Sequence, residues 1–164
     1  MQSAVYSPPP KSSPGPCSRA PHRRRAGHDA ASRTARHTGA RGYGSLAEVA
    51  AHGEVVPVAV PADTAPQLAG EPAHVPAGRT LIDCTVPMAP GADGPALTTG
   101  GATSVARLIA DAAPGAGVVQ AFGVCHEGIW ALDRPAFEGA PPAVPFCADQ
   151  PGATARVADL ASMG

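Results

Sequence analysis

Three short apolar runs, each closed by a proline or a glycine, constrain this chain more than any other feature. They are Val55-Val-Pro-Val-Ala-Val60 before Pro61, Thr80-Leu-Ile-Asp-Cys-Thr-Val86 before Pro87, and Gly117-Val-Val-Gln-Ala-Phe122 before Gly123. None alternates apolar with polar, which is the pattern of strands buried on both faces, as in a parallel sheet. Pro57 removes one ladder donor, so its strand belongs near an edge or is locally irregular. Helical signals separate the runs. Ser45-Leu-Ala-Glu48 has the form of a capping box and opens a helix that ends near His52 and Gly53. Residues 64–70 suit a helical turn or two. Residues 102–113 place Val105, Leu108, Ile109 and Ala112 on one helical face before Pro114 and Gly115 stop it. A short helical stretch around Ile129 to Leu132, a fourth and shorter strand at Val144 to Cys147, and a last amphipathic helix from Gln150 to Ser162 complete the order. Ala89 to Gly101 reads as a Gly- and Pro-rich loop. Strands alternating with helices across short connections make an α/β layout, a doubly wound parallel sheet.

Composition bears on what else the chain can be. Of 164 residues, 20 are Pro and 19 are Gly, a share just under the roughly 25–30% at which low-complexity disorder is the expected reading. The net charge of −1 hides an asymmetry: residues 1–41 carry eight Lys or Arg against Asp29 alone, and residues 42–164 carry four against twelve acids. A basic arm on an acidic body suits contact with nucleic acid, or an arm that folds back on its own domain. The arm has six prolines in its first 21 residues and no aromatic after Tyr6, so it offers charge without a platform on which bases stack, and nucleic acid is not the expected partner. Those prolines also rule out the amphipathic helix of a transit peptide. Residues 1–25 are read as a disordered or non-native basic arm. No stretch approaches the roughly 20 apolar residues of a membrane span, and residues 1–30 lack the apolar core of a secretory signal. A soluble, cytoplasmic protein is expected.

Little in the body has the look of acid–base or metal chemistry. Cys17, Cys84, Cys125 and Cys147 have no zinc-like spacing, even with His126 beside Cys125. Cys84 and Cys147 sit in apolar runs, where a thiol behaves as a small buried hydrophobe. Asp63, Asp83 and Asp149 read as loop or helix-cap residues, and His28, His37, His52 and His74 have no partner pattern. In open α/β sheets ligands bind beyond the carboxyl ends of the strands, here Val60-Pro61-Ala62, Val86-Pro87-Met88 and Ala121-Phe122-Gly123. Small residues and backbone at such a place suit a flat cofactor that brings its own reactivity. Plain strand ends with no ligand are the competing reading.

Taken in order, Val55 to Pro61, Ala77 to Pro87, Ser104 to Ala110, Val118 to Phe122 and Val144 to Asp149 resemble the NADPH-dependent reductases of the deazaflavin coenzyme F420. The metalloreductases and, further off, the pyrroline-5-carboxylate reductases share the layout. Val86-Pro87 follows the F420-reductase branch, where many relatives have Asn-Pro. The resemblance implies a Rossmann-like NADP(H)-binding domain that passes hydride between NADPH and F420 or a related acceptor, without a protein acid or base. It implies that Val60 and Pro61 line the ribose and nicotinamide side, and that Val86, Pro87, Ala121 and Phe122 complete the cofactor site. Gly123 replaces the polar residue usual after that strand. Ser32 and Arg33, at what would be the end of the second strand, would take the 2′-phosphate of NADP.

The resemblance breaks at the start of the chain. A dinucleotide site needs a strand followed by a glycine-rich loop whose amides cradle the pyrophosphate. Ala4-Val5-Tyr6 is followed instead by Ser7-Pro-Pro-Pro10, and three prolines remove three amide donors. The expectation is therefore a partial Rossmann domain over residues 26–164, its first βα unit degraded or missing, with the chain ending just before a further strand and helix of the family. A homodimer and small-molecule ligands are the expected partners. A non-catalytic nucleotide-binding or interaction module, using the basic arm, is the alternative.

Overall fold

The computed structural model describes residues 30–40, 42–71, 77–123, 127–130, 138–140 and 143–162. The Pro-rich arm, the Ala4–Tyr6 and Ala26–Asp29 segments, Cys17, His74, Cys125, His126 and Leu132 lie outside them.

Residues 30–38 form α1, followed by α2 (Leu46–His52), β1 (Val55–Val58), α3 (Ala65–Ala69), β2 (Thr80–Asp83), β3 (Met88–Gly91), β4 (Gly94–Leu97), α4 (Val105–Ala112), β5 (Gly117–Gln120), α5 (Glu127–Trp130), β6 (Cys147–Ala148) and α6 (Pro151–Ser162). Strands β1, β2 and β5 pair in parallel, in register Val56 to Leu81 to Val118. The fourth strand is antiparallel: β6 runs against β5, with Ala148 opposite Val119. The expected doubly wound parallel sheet is present as a mixed, mostly parallel one, of order β1-β2-β5-β6. A two-residue strand carries too little pattern to show its direction.

Helices cover both faces, as the α/β reading expected. On one face Val58, Leu81 and Val118 pack under α3 and α4 through Ala65, Ala69, Val105 and Ile109. On the other, Ile82 and Val119 pack under α6 through Ala153 and Val157. The alternation of Leu81 with Ile82, and of Val118 with Val119, explains why these runs are apolar throughout: both sides of each strand meet a helix. Leu108 shares the apolar face of α4 in the sequence but is exposed, while Val105 and Ile109 are buried. Pro57 is explained by position. Thr80 N–H donates to Glu54 O and Cys84 N–H to Val58 O, so the even-numbered groups of this strand face β2 and Pro57 faces the other way. Among the described residues no strand pairs on that side, and the missing donor costs no ladder bond.

The capping box is formed. Ser45 N–H and Oγ both donate to Glu48 Oε2 at 2.7 Å, and Glu48 N–H donates to Ser45 Oγ at 3.3 Å. Ser104 caps α4, its Oγ accepting from Arg107 N–H at 3.1 Å. The segment expected to be a loop, Ala89 to Gly101, instead contains the β3–β4 hairpin. Its prolines hid it. Thr98 N–H donates to Pro87 O at 2.7 Å, which makes the facing pair Pro90 and Pro95 a non-hydrogen-bonded one, where neither needs an N–H. Gly94, at φ +120°, closes the turn in a conformation that favours glycine.

Candidate functional site

At the carboxyl ends of β2 and β5 lies a cleft of about 350 Å³. Thr85, Val86 and Pro87 form its wall after β2, and Met88 and Leu97 reach it from the hairpin. Gln120, Ala121 and Gly123 form the wall after β5, and Pro145, Phe146 and Cys147 close the side toward β6. None of the described lining residues is charged. Val86, Met88 and Leu97 are three of the five exposed large apolar side chains among the described residues, about half exposed each, and all three line this one cleft.

Local chemistry builds these walls. Asp83, expected as a loop or cap residue, is the fully buried last residue of β2. Its Oδ1 accepts from Thr85 N–H at 2.9 Å, an Asx-type turn that ends the strand and aims the chain at Val86 and Pro87. The thiol of Cys84, between them, is pushed up to about 11 from 9.0, first by burial and then by the Asp83 charge, so it stays protonated. After β5 the backbone turns at Phe122, which adopts φ +64°. That region is costly for an aromatic residue, about 1–3 kcal/mol. The turn leaves Ala121 and Gly123 on the cleft and packs Phe122 against the Ile82 and Val119 cluster. A Cβ on Gly123 would sit 3.3 Å from Thr85 O, so the walls approach closely there.

The expected site residues divide into three groups. Val86, Pro87 and Ala121 meet in the cleft, with Phe122 behind it. Val60 and Pro61 stand at the end of β1, outside the lining. Val60 packs against the core under α3 and α4, and Pro61 O accepts from Thr64 and Ala65 N–H as the chain turns into α3. Ser32 and Arg33 belong to α1, which corrects the strand end expected there. Ala30, Ala31 and Ala35 favour helix. Ser32 Oγ accepts from Arg36 at 2.7 Å, and Arg33 is exposed.

Met88 and Gly123, named among the strand ends, also line the cleft, whereas Thr85, Gln120, Leu97, Phe146 and Cys147 are cleft residues that the strand-end reading did not single out. The rule that ligands sit beyond strand ends was enough to find Thr85, one residue before Val86; the hairpin and β6 residues arrive through tertiary pairing. Cys147, expected to be buried, is exposed, its thiol 3.8 Å from Gln120 Oε1. Asp149 is also exposed, 3.7 Å from Arg107. Among the described residues no group of three or more His, Cys, Asp or Glu is placed to hold a metal, and no helix is long and apolar enough to cross a membrane.

No protein-family model matches the sequence, and no curated protein matches it significantly. Solved structures do match in fold. The chain is similar to the crystal structure of a "putative F420-dependent NADP-reductase" from Arthrobacter sp. FB24, with TM-score 0.55 and 24% identity over 72% of this chain and 54% of that one. It is also similar to a hypothetical protein from Sinorhizobium meliloti, with TM-score 0.64 and 23% identity over 82% of this chain and 63% of that one. The chain therefore spans between about half and two thirds of the length of these structures, and what the likeness establishes is a shared Rossmann-like α/β fold.

Proposed function

We propose that the cleft beyond β2 and β5 seats the reactive ring of NADP(H), and that the domain serves hydride transfer between that ring and coenzyme F420 or a related flat acceptor. The observation that carries this reading is the convergence of Val86, Met88 and Leu97, exposed and apolar, on one cleft. Its volume of about 350 Å³ is at the small end of the roughly 300–1,000 Å³ of ligand sites. It fits a ring system better than a whole dinucleotide. The glycine-rich loop of a dinucleotide site would fall within residues 1–29, outside the described ones.

When bound, the nicotinamide supplies the hydride. The chain supplies surroundings. Val86, Met88 and Leu97 exclude water from the ring, and Ala121 and Gly123 let a flat group lie against backbone. Among the described residues the lining offers apolar side chains, Thr85, Gln120 and backbone, and in this reading the protein orients the ring while the cofactor brings the chemistry. In the same reading Val60 and Pro61 continue the carboxyl edge past β2 to the ribose, Pro87 and Phe122 support the ring site, and Ser32 with the Arg33 guanidinium takes the 2′-phosphate, a pairing that suits a phosphate dianion.

Titrating the purified chain with NADPH while following cofactor fluorescence tests this directly. Enhancement on binding, weakened at least several-fold when Met88 and Leu97 are both changed to Ser, is the expected result. No binding at millimolar NADPH rejects the reading.

A further inference from the structure

The β3–β4 hairpin carries the apolar surface of the cleft outward. Met88 is paired with Leu97 and Pro90 with Pro95, and because successive side chains alternate across a strand, these four residues share one face while Ala89, Gly91, Gly94 and Ala96 share the other. Met88 and Leu97 line the cleft, so Pro90 and Pro95 continue its wall, about 7 Å further along the strands. All four are exposed. The hairpin is fixed where it leaves the cleft: Thr98 N–H and Oγ1 both donate to Pro87 O, at 2.7 and 3.1 Å.

Two kinds of occupant are excluded by the hairpin itself. Its outward-facing backbone positions are Met88, Pro90, Pro95 and Leu97. The prolines have no N–H, and Met88 N–H is turned back to Val86 O at 2.9 Å, so an added strand would find an amide at Leu97 alone. Two strands of four residues also fall well short of the roughly 20–30 residues a side of a stable protein interface. A small flat molecule remains. We infer that Pro90 and Pro95 are specificity-determining residues for a fused-ring ligand, one end of which enters the cleft beside Met88 and Leu97 while the rest lies on the two prolines. A single six-membered ring in the cleft stops short of them, whereas two or three fused rings reach. This selection by length rests on the proposed function only in the choice of cleft. It does not require the dinucleotide.

Lumiflavin, three fused rings without a sugar tail, and nicotinamide, a single ring, are the probes, followed on the ¹⁵N-labelled full chain by NMR. Lumiflavin is expected to shift the amide signals of Gly91 and Ala96, each next to a proline, together with Gly123, whereas nicotinamide shifts Gly123 without the other two. Neither proline position carries a ladder hydrogen bond, so Pro90→Ser with Pro95→Ser keeps the hairpin paired. That pair of changes is expected to weaken lumiflavin about three- to tenfold and to leave nicotinamide unchanged. Ala89→Ser with Ala96→Ser, on the opposite face, should leave both probes unchanged. Lumiflavin that does not bind, binds the proline variant undiminished, loses as much to the opposite-face variant, or shifts Gly123 without Gly91 and Ala96 would overturn the assignment. Proline-dependent lumiflavin binding by a chain that ignores NADPH would refute the dinucleotide reading and support this one; NADPH binding with lumiflavin indifferent to the prolines would do the reverse.

Discussion

Gly117→Ala tests how tightly α6 is seated on the sheet. A Cβ built on Gly117 lies 2.7 Å from the Ala153 Cβ and 3.1 Å from Gln150 Oε1. Carbon atoms pack best at about 3.5–4.0 Å, so the new methyl group requires a movement of about 1 Å between β5 and α6. Both partners are held. Ala153 is buried in the Ile82–Val119 cluster, and Arg156 of the same helix donates to the buried Thr80 Oγ1 at 3.0 Å. Overpacking of this kind costs about 1–3 kcal/mol, offset by about 0.4–1 kcal/mol because alanine has less freedom than glycine in the unfolded chain. The net expectation is a loss of about 1–2 kcal/mol, read as a lower urea midpoint with unchanged m-value. Adding Ala153→Gly opens the contact again. Although a glycine inside α6 costs about 1 kcal/mol by itself, the double variant should be more stable than the sum of the singles by about 1 kcal/mol or more. Gly117→Ala at or above the starting stability, or strict additivity of the pair, would refute the argument from close packing.

Ser45→Ala removes a hydroxyl that serves Glu48 as both donor and acceptor, and should lower stability by about 1 kcal/mol in urea denaturation; no change would mean that α2 contributes nothing to the cooperative fold. With its thiol pushed up to about 11 from 9.0, Cys84 holds about a hundredfold less thiolate at pH 8 than an ordinary thiol. Peptide-resolved iodoacetamide labelling should find the exposed Cys147 modified well before it, with Asp83→Asn speeding Cys84 only in part because burial is the larger cause; equal rates would contradict the buried setting. The same shift links to stability. The folded state holds the Cys84 proton more tightly, so its contribution is intact below about pH 9 and lost as pH rises toward 11, a decline that Cys84→Ala should abolish in pH-resolved denaturation.

The cleft was half legible. Val86, Pro87 and Ala121 follow from the rule that α/β sheets bind ligands past their strand ends, and the structure brings them into one lining. Met88 follows from the same rule, but the hairpin that brings Leu97 beside it was obscured because Pro90 and Pro95 argue against strands unless they fall at non-hydrogen-bonded positions, which depends on register. Asp83 was misplaced for a similar reason. A carboxylate beside a turn reads as exposed, whereas the structure buries it with Oδ1 turned to Thr85 N–H and Oδ2 without a hydrogen-bond partner among the described residues. Ser32 and Arg33 were assigned to a strand end through the resemblance, while the alanines around them favour helix.

By itself the sequence determined whatever a few neighbouring residues decide. The unbroken apolar runs at Val55, Thr80 and Gly117 specify strands buried on both faces, Ser45 and Glu48 specify a helix start, and Pro114 with Gly115 specifies a helix end. Only the tertiary structure decided the antiparallel direction of β6, the left-handed turn at Phe122, the close seat of Ala153 on Gly117, and the meeting of hairpin, β2, β5 and β6 around one cleft. The physical reason is the range of the forces involved. Capping, turn geometry and periodicity act within a few residues, whereas strand direction and the convergence of side chains arise from contacts between segments tens of residues apart, where local pattern carries no information.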